Sequence, residues 1–239
     1  MNKYLYLLSA LLVSTALPAF AQMDAMPVTI AEAQAVSDPV MEKIAALQTE
    51  WATIKYQIPS EDAKLDAIHK LEEQAAQVSA QNPARAEPKI WEAIILSTDA
   101  GIVKGMSALS KVEKAKTLLE EAEKIDTNAL EGSAHTSLGS LYYQVPGWPV
   151  GFGDDKKAEN HLKMALQINP NGIDPNYFYG DFLLQDDRPD EAKPYLERAL
   201  MAPPRPGRQL ADAGRHQEIK VALAKVEEKL KSGGKKQLN

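Results

Sequence analysis

Four residues of this chain recur at one fixed interval. Ala158, Leu162, Ala165 and Pro170 reappear as Ala192, Leu196, Ala199 and Pro204, each 34 residues later. Upstream of them, Leu138-Gly139-x-x-Tyr142 corresponds to Tyr179-Gly180-x-x-Leu183 at an offset of 41, so the earlier unit carries seven extra residues between its two helices. The units then span 132–172 and 173–206 and abut without a gap. An interval of this size describes one supersecondary unit that buries its apolar face only against its neighbours. The residue types explain themselves physically. Gly139 and Gly180 lie where a side chain would hold two paired helices apart, and Ala158 and Ala192 play the same part on the partner helix. Pro170 and Pro204 cannot continue a helix and so close each unit.

With leucine-glycine then tyrosine on one helix, alanine and a large apolar residue on the next, and a closing proline, this pattern resembles the tetratricopeptide-repeat (TPR) family. A weaker unit, 86–131, precedes the two clear ones. It keeps Ala115, Leu119 and Ala122 but has Thr127 where proline is expected, and its first helix carries Trp91, Ile94, Ile95, Thr98 and Ile102 on one face. Residues 38–83 give two further amphipathic stripes, Ile44-Leu47-Trp51-Ile54-Ile58 and Leu65-Ile68-Leu71-Ala75-Val78, which read as a helix pair drifted from the consensus. After a Pro203–Gly207 turn, Ile219, Leu223, Val226 and Leu230 line one face of a capping helix. Nothing alternates with a period of two. The expected fold is therefore all-α: a TPR-like α-solenoid of about four helix pairs plus a C-terminal capping helix over 38–231, followed by a disordered tail at 232–239 that begins at Gly233 and Gly234.

The N-terminus adds a compartment. Lys3, the apolar run from Tyr4 to Ala16 and the small residues of Ala19-Phe20-Ala21 have the three-part order of a secretory signal peptide, expected to span 1–21, with a flexible leader at 22–37. Cleavage after Ala21 would leave 218 residues and, with Lys3 gone, a formal charge of −7 instead of −6. There is no cysteine, which excludes disulfides, thiolate chemistry, cysteine-ligated zinc and a lipidated cysteine. No later apolar run approaches the roughly 20 residues of a membrane span. The expected product is periplasmic, has no membrane anchor, and is acidic enough to disfavour nucleic acid.

Few residues suggest chemistry. No HExxH, GxSxG or phosphate-loop pattern occurs, so no catalytic residue, cofactor or metal site is expected and the chain reads as a non-enzyme. Gly151-Phe152-Gly153 follows a helix, lacks a third glycine and precedes two acids that would repel phosphate. Of the histidines, His161 sits three residues after Ala158 on the core-facing stripe. His135 stands where the repeat family usually has tryptophan. Both are read as packing residues, and His69, with Glu72 and Glu73 nearby, as weak support for metal. The extra residues from Gln144 to Asp155 hold Trp148 and Phe152 in a proline- and glycine-rich loop, either packed against neighbouring helices or presented to a partner. Asp154 or Asp155 would cap the helix that follows. First helices of stacked repeats line a concave surface, which makes Tyr143, Asn176 and Tyr177 candidates for a groove. Arg205 and Arg208, with Arg215, either recognise a carboxylate or pair with Asp181 or Asp186.

Over about 86–231, the long inter-helix connections, the Gly147–Asp155 loop and the cap are similar to the periplasmic T component of tripartite ATP-independent periplasmic (TRAP) transporters. That resemblance implies association with a solute-binding subunit and a ligand cavity. Members are often lipid-anchored, and here the required cysteine is absent. The functional expectation is an exported scaffold or adaptor that holds a protein or peptide partner in its concave groove, as a transporter accessory subunit. The alternative is an accessory protein that binds an apolar or carboxylate small molecule.

Overall fold

The computed structural model describes residues 38–103 and 105–236. The expected signal peptide and leader lie outside the described residues. Nine helices follow one another: α1 Pro39–Gln57, α2 Glu61–Gln81, α3 Ala86–Ile102, α4 Met106–Ile125, α5 Ala129–Gln144, α6 Asp155–Ile168, α7 Ile173–Gln185, α8 Pro189–Leu200 and α9 Gln209–Lys236, all of them among the described residues. None is long and apolar enough to cross a membrane. Local chemistry sets several of the starts. The side chains of Asp38, Ser60 and Asp154 accept from the backbone N–H groups of Val40, Ala63 and Lys157 at the first turns of α1, α2 and α6.

The helices pack as antiparallel neighbours, α3 on α4, α5 on α6 and α7 on α8, and the first helices α1, α3, α5 and α7 also touch in sequence. The glycine–alanine logic read from the repeat is visible in the distances. A Cβ on Gly139 would lie 2.6 Å from Leu162 Cγ and 3.2 Å from the Ala158 carbonyl oxygen. A Cβ on Gly180 would lie 2.7 Å from Leu196 Cγ and 3.3 Å from the Ala192 carbonyl oxygen. The two pairs therefore close by the same contact one repeat apart. Ala115, Leu119 and Ala122 of α4 are fully buried, as are Ala158, Leu162 and Ala165 of α6 and Ala192, Leu196 and Ala199 of α8.

Two apolar clusters form the core. One runs through α3–α9, and the other gathers Ile44, Leu47, Trp51 and Ile54 of α1 with Ile68 and Leu71 of α2. Helix α3 serves both, with Ile90, Ala93 and Leu96 turned to the first and Trp91 and Ile95 to the second. Leu210 and Ala211 of α9 also join the N-terminal cluster, so the last helix reaches back to the first pair. Helix α9 continues through Gly233 and Gly234 to Lys236, and the rest of the expected tail lies outside the described residues. Each glycine in a helix costs only about 1 kcal/mol relative to alanine, which two glycines at the end of a 28-residue helix do not suffice to stop.

Candidate functional site

The row of inner helices is closed by α9. Lys55 and Tyr56, at the end of α1, both reach Glu218 of α9, at 2.9 Å and 3.3 Å. Gly214 faces the Tyr56 ring so closely that a Cβ there would overlap the ring carbons. Arg208 places its guanidinium 5.1 Å from the Trp91 ring centre. Beside this seam, Asp174 in the first turn of α7 accepts from Arg215 Nε at 2.8 Å and pairs with Arg205, which also binds Asp212. Burial alone would raise the Asp174 pKa, but Arg215 and Arg205 outweigh it and hold the carboxyl well below the ordinary range. Arg215 in turn lies 4.5 Å from the Tyr177 ring centre, and burial pushes the Tyr177 phenol up to about 12. The partners of Arg205 and Arg215 are thus Asp174, Asp212 and Glu218, whereas the sequence suggested Asp181 or Asp186. Asp174 is near the start of α7, beside Arg205 of the α8–α9 turn and Arg215 of α9, whereas the other two acids lie toward its far end.

The connection between α5 and α6 is built as a rigid loop. The Gly153 N–H donates to the Pro146 carbonyl, Gly151 N–H to Gly147, and Asp154 N–H to Tyr142. A Cβ on Gly153 would collide with the Val145 carbonyl oxygen, and one on Gly151 would sit 2.6 Å from that of Pro146, so only glycine fits at either place. The two aromatics have opposite fates. Phe152 packs edge-on against Tyr142 with ring centres 5.8 Å apart, and Lys116 lies over its face. Trp148 is 90% exposed and Val150 63% exposed. Leu109 of α4 comes within 3.4 Å of the position a Gly151 Cβ would take, and Met106, one turn earlier on α4, is 84% exposed.

A third cluster joins α4, α5 and α6. His135 of α5, His161 of α6 and Glu123 of α4 each bring one potential metal-ligand atom within 4.8 Å of the others. Burial lowers the pKa of both imidazoles, which favours their neutral form. On α3, the fully buried Asp99 pairs with Lys111 of α4 at 2.6 Å and His69 of α2 at 3.1 Å, and the buried Glu92 pairs with Lys114 at 2.8 Å.

Neither a protein-family model nor a curated protein matches the chain. Its backbone is similar to the crystal structure of a thermophilic TPR protein from Thermus thermophilus, with a TM-score of 0.50 at 16% identity, covering 76% of this chain and 99% of that one. The fold is a tetratricopeptide-repeat fold. At this identity the likeness concerns the fold alone.

Within this TPR fold the residues singled out in the sequence separate into distinct places. Tyr143 is turned inward, its hydroxyl donating to Asp181 Oδ2 at 2.7 Å, and Asn176 is fully buried, its amide donating to the Pro170 and Gly172 carbonyls. Tyr177 lines a shallow groove of about 310 Å³ with Val221 and Lys225 of α9. Arg205 belongs to the α7–α9 seam, whereas Arg208 lies against Trp91 of α3, makes no ion pair among the described residues and has its Nε buried without a hydrogen-bond partner. Trp148 stands apart, exposed on its loop, while Phe152 of the same loop packs on Tyr142. The meeting of His135 with His161 is not visible in either residue taken alone. The signal for it lies in the repeat register, because the first helix of a unit packs on its second.

Proposed function

We propose that this chain is an exported TPR adaptor whose loop between α5 and α6 is the point of attachment for a protein partner. The observation that carries the reading is Trp148. A large aromatic side chain held 90% exposed on a loop whose own hydrogen bonds and glycines fix its shape has already met much of the ordering cost of binding. Tryptophan is among the residues that most often dominate interface energetics. Val150, two residues further along the same loop, is also exposed. The partner expected is a protein with an apolar recess that takes the indole, and an accessory role beside a transporter's solute-binding subunit is one such setting. Export and periplasmic residence rest on the order of residues 1–21.

The inner surface contributes less to this reading than the sequence suggested. Helix α9 crosses to α1, and Tyr143 and Asn176 use their polar atoms internally. The experiment is affinity capture of an identified partner, followed by titration of purified Trp148→Ala against wild type. A loss of about 2 kcal/mol or more is expected for a central indole, roughly a thirtyfold weaker Kd. Unchanged affinity in Trp148→Ala sinks the loop as the docking point.

A second reading is favoured by Arg208. Its half-buried guanidinium lies against Trp91, with a buried Nε that no described group satisfies. A small carboxylate is the ligand chemistry that would complete it. Native mass spectrometry of protein from the exporting cell, wild type beside Arg208→Gln, tests this. A bound acid lost in the variant supports it, and a clean apo mass in both removes it.

A further inference from the structure

We propose that Glu123, His135 and His161 form a binding site for a divalent first-row transition ion of the zinc type, with an open coordination position toward solvent. The three side chains come from three successive helices, α4, α5 and α6. His135 Nδ1 and His161 Nδ1 lie 3.0 Å apart, and Glu123 Oε1 is 3.8 Å from His135 Nδ1. Metal–nitrogen bonds of about 2.0–2.1 Å in tetrahedral geometry separate two ligand nitrogens by roughly 3.3 Å, so the pair needs little movement to share an ion. Two imidazoles and one carboxylate suit zinc, copper or nickel, whereas calcium and magnesium require an oxygen cage.

The surroundings orient the rings as ligands are usually oriented. Thr127 Oγ1 lies 2.9 Å from His135 Nε2. With the ring proton on Nε2 and donated to that hydroxyl, the Nδ1 lone pair points toward His161 and Glu123. Thr127 stands where the repeat otherwise closes with proline, which has no hydroxyl to offer. His161 is stacked on Tyr142 with ring centres 5.6 Å apart and planes inclined by 13°. Between Thr127 and His135 the backbone takes a left-handed turn, with φ of 49° at Leu130, 57° at Glu131 and 76° at Gly132. Left-handed backbone costs an ordinary side chain about 1–2 kcal/mol per residue, and such strain gathers where a site has to be shaped.

Charge balance permits a cation. Among the described residues Glu123 makes no ion pair with a lysine or arginine, its partner being His135. The nearby cations have acids of their own: Lys116 binds Glu120 at 2.6 Å, and Lys157, which also lies over Tyr142, is 3.9 Å from Asp154. His135 is 2% exposed, while the Glu123 side chain is about a third exposed, so one side of the cluster faces water. The competing arrangement is a hydrogen bond from one Nδ1–H to the other Nδ1, which an arriving ion would displace as that ring's proton moves to its own Nε2.

The test is calorimetric titration of the full folded chain, stripped with chelator, with zinc chloride, and a parallel titration with cobalt(II) followed by its visible absorption. Saturable one-to-one binding in the micromolar range or tighter is expected, with the intense absorption of a tetrahedral cobalt site. Because His135 is buried in the core, the variants are His161→Gln and Glu123→Gln, each checked for an unchanged helical signal. Thr127→Val removes the orienting hydroxyl alone and should weaken binding about 10–100-fold, as loss of an outer partner does elsewhere. Absence of saturable binding in the wild type overturns the proposal. So does undiminished affinity in His161→Gln, which would assign the ion to other groups.

Discussion

Arg215 of α9 donates from Nε to Asp174 Oδ1 of α7 at 2.8 Å, and this bond ties the last helix to the last repeat. Asp174 also holds Arg205 from the α8–α9 turn, and Arg215 continues to Glu218, which in turn receives Lys55 from α1. One carboxyl therefore sits at the head of a chain of contacts that brings the two ends of the solenoid together.

A pH dependence follows from the sign of the Asp174 shift. Its folded pKa is depressed below the ordinary 3.8, so the unfolded chain takes up the proton first as pH falls. The stabilisation is complete above about pH 4 and is lost as pH falls from there toward the folded pKa. Denaturation monitored by helical signal should show this acid loss in the wild type and a reduced loss in Asp174→Asn. At neutral pH that variant should be less stable by about 3 kcal/mol, because it leaves two arginines without their shared partner.

The inter-helix contacts at Gly139 and Gly180 predict a graded series. Gly139→Ala and Gly180→Ala each force a Cβ to within 2.6–2.7 Å of a leucine Cγ and should cost about 1–3 kcal/mol. Gly101, also in a helix, would have nothing within 4 Å of its Cβ. Gly101→Ala should stabilise by roughly 0.5–1 kcal/mol. Urea midpoints of the three variants provide the check, and a uniform response would contradict the close-packing account.

Trp148 and Phe152 should part company in stability measurements. Trp148→Ala removes an exposed side chain and should leave the melting transition within about 0.5 kcal/mol of wild type. Phe152→Ala takes away the ring that packs on Tyr142 and should lower stability by about 1–3 kcal/mol.

Tyr143→Phe removes one hydroxyl, which also accepts from Gln144 Nε2 at 3.1 Å. The hydroxyl it deletes donates to Asp181 Oδ2, which also accepts from Gln185. Because Gln185 still serves that oxygen, the expected loss is about 1 kcal/mol. A negligible change would mean that water replaces the phenol without cost and that this inner position is open to solvent.

The fold was legible where the physics is local and repeats. A small residue facing a small residue at matched places in successive units states that two helices approach closely, and Gly139 with Ala158 and Gly180 with Ala192 do so. The aromatic loop was half legible: its composition flagged it, but only the closure by Gly151 and Gly153 decides that Phe152 packs and Trp148 does not. The arginine partners depended on the path of α9, which its amphipathic stripe leaves undefined, because a stripe fixes which face is buried and not what it is buried against. Asp99 and Glu92, buried charges on α3, escaped for a related reason: their lysines come from the neighbouring helix. His135 and His161 are 26 residues apart, and their meeting follows from helix pairing, not from any spacing within one helix.

The most direct measurement is a binding titration of the captured partner against wild type, Trp148→Ala and Arg208→Gln, all three first shown to have the same helical signal. The account predicts that Trp148→Ala binds at least about thirtyfold more weakly while Arg208→Gln binds like wild type. Full affinity in Trp148→Ala would contradict it.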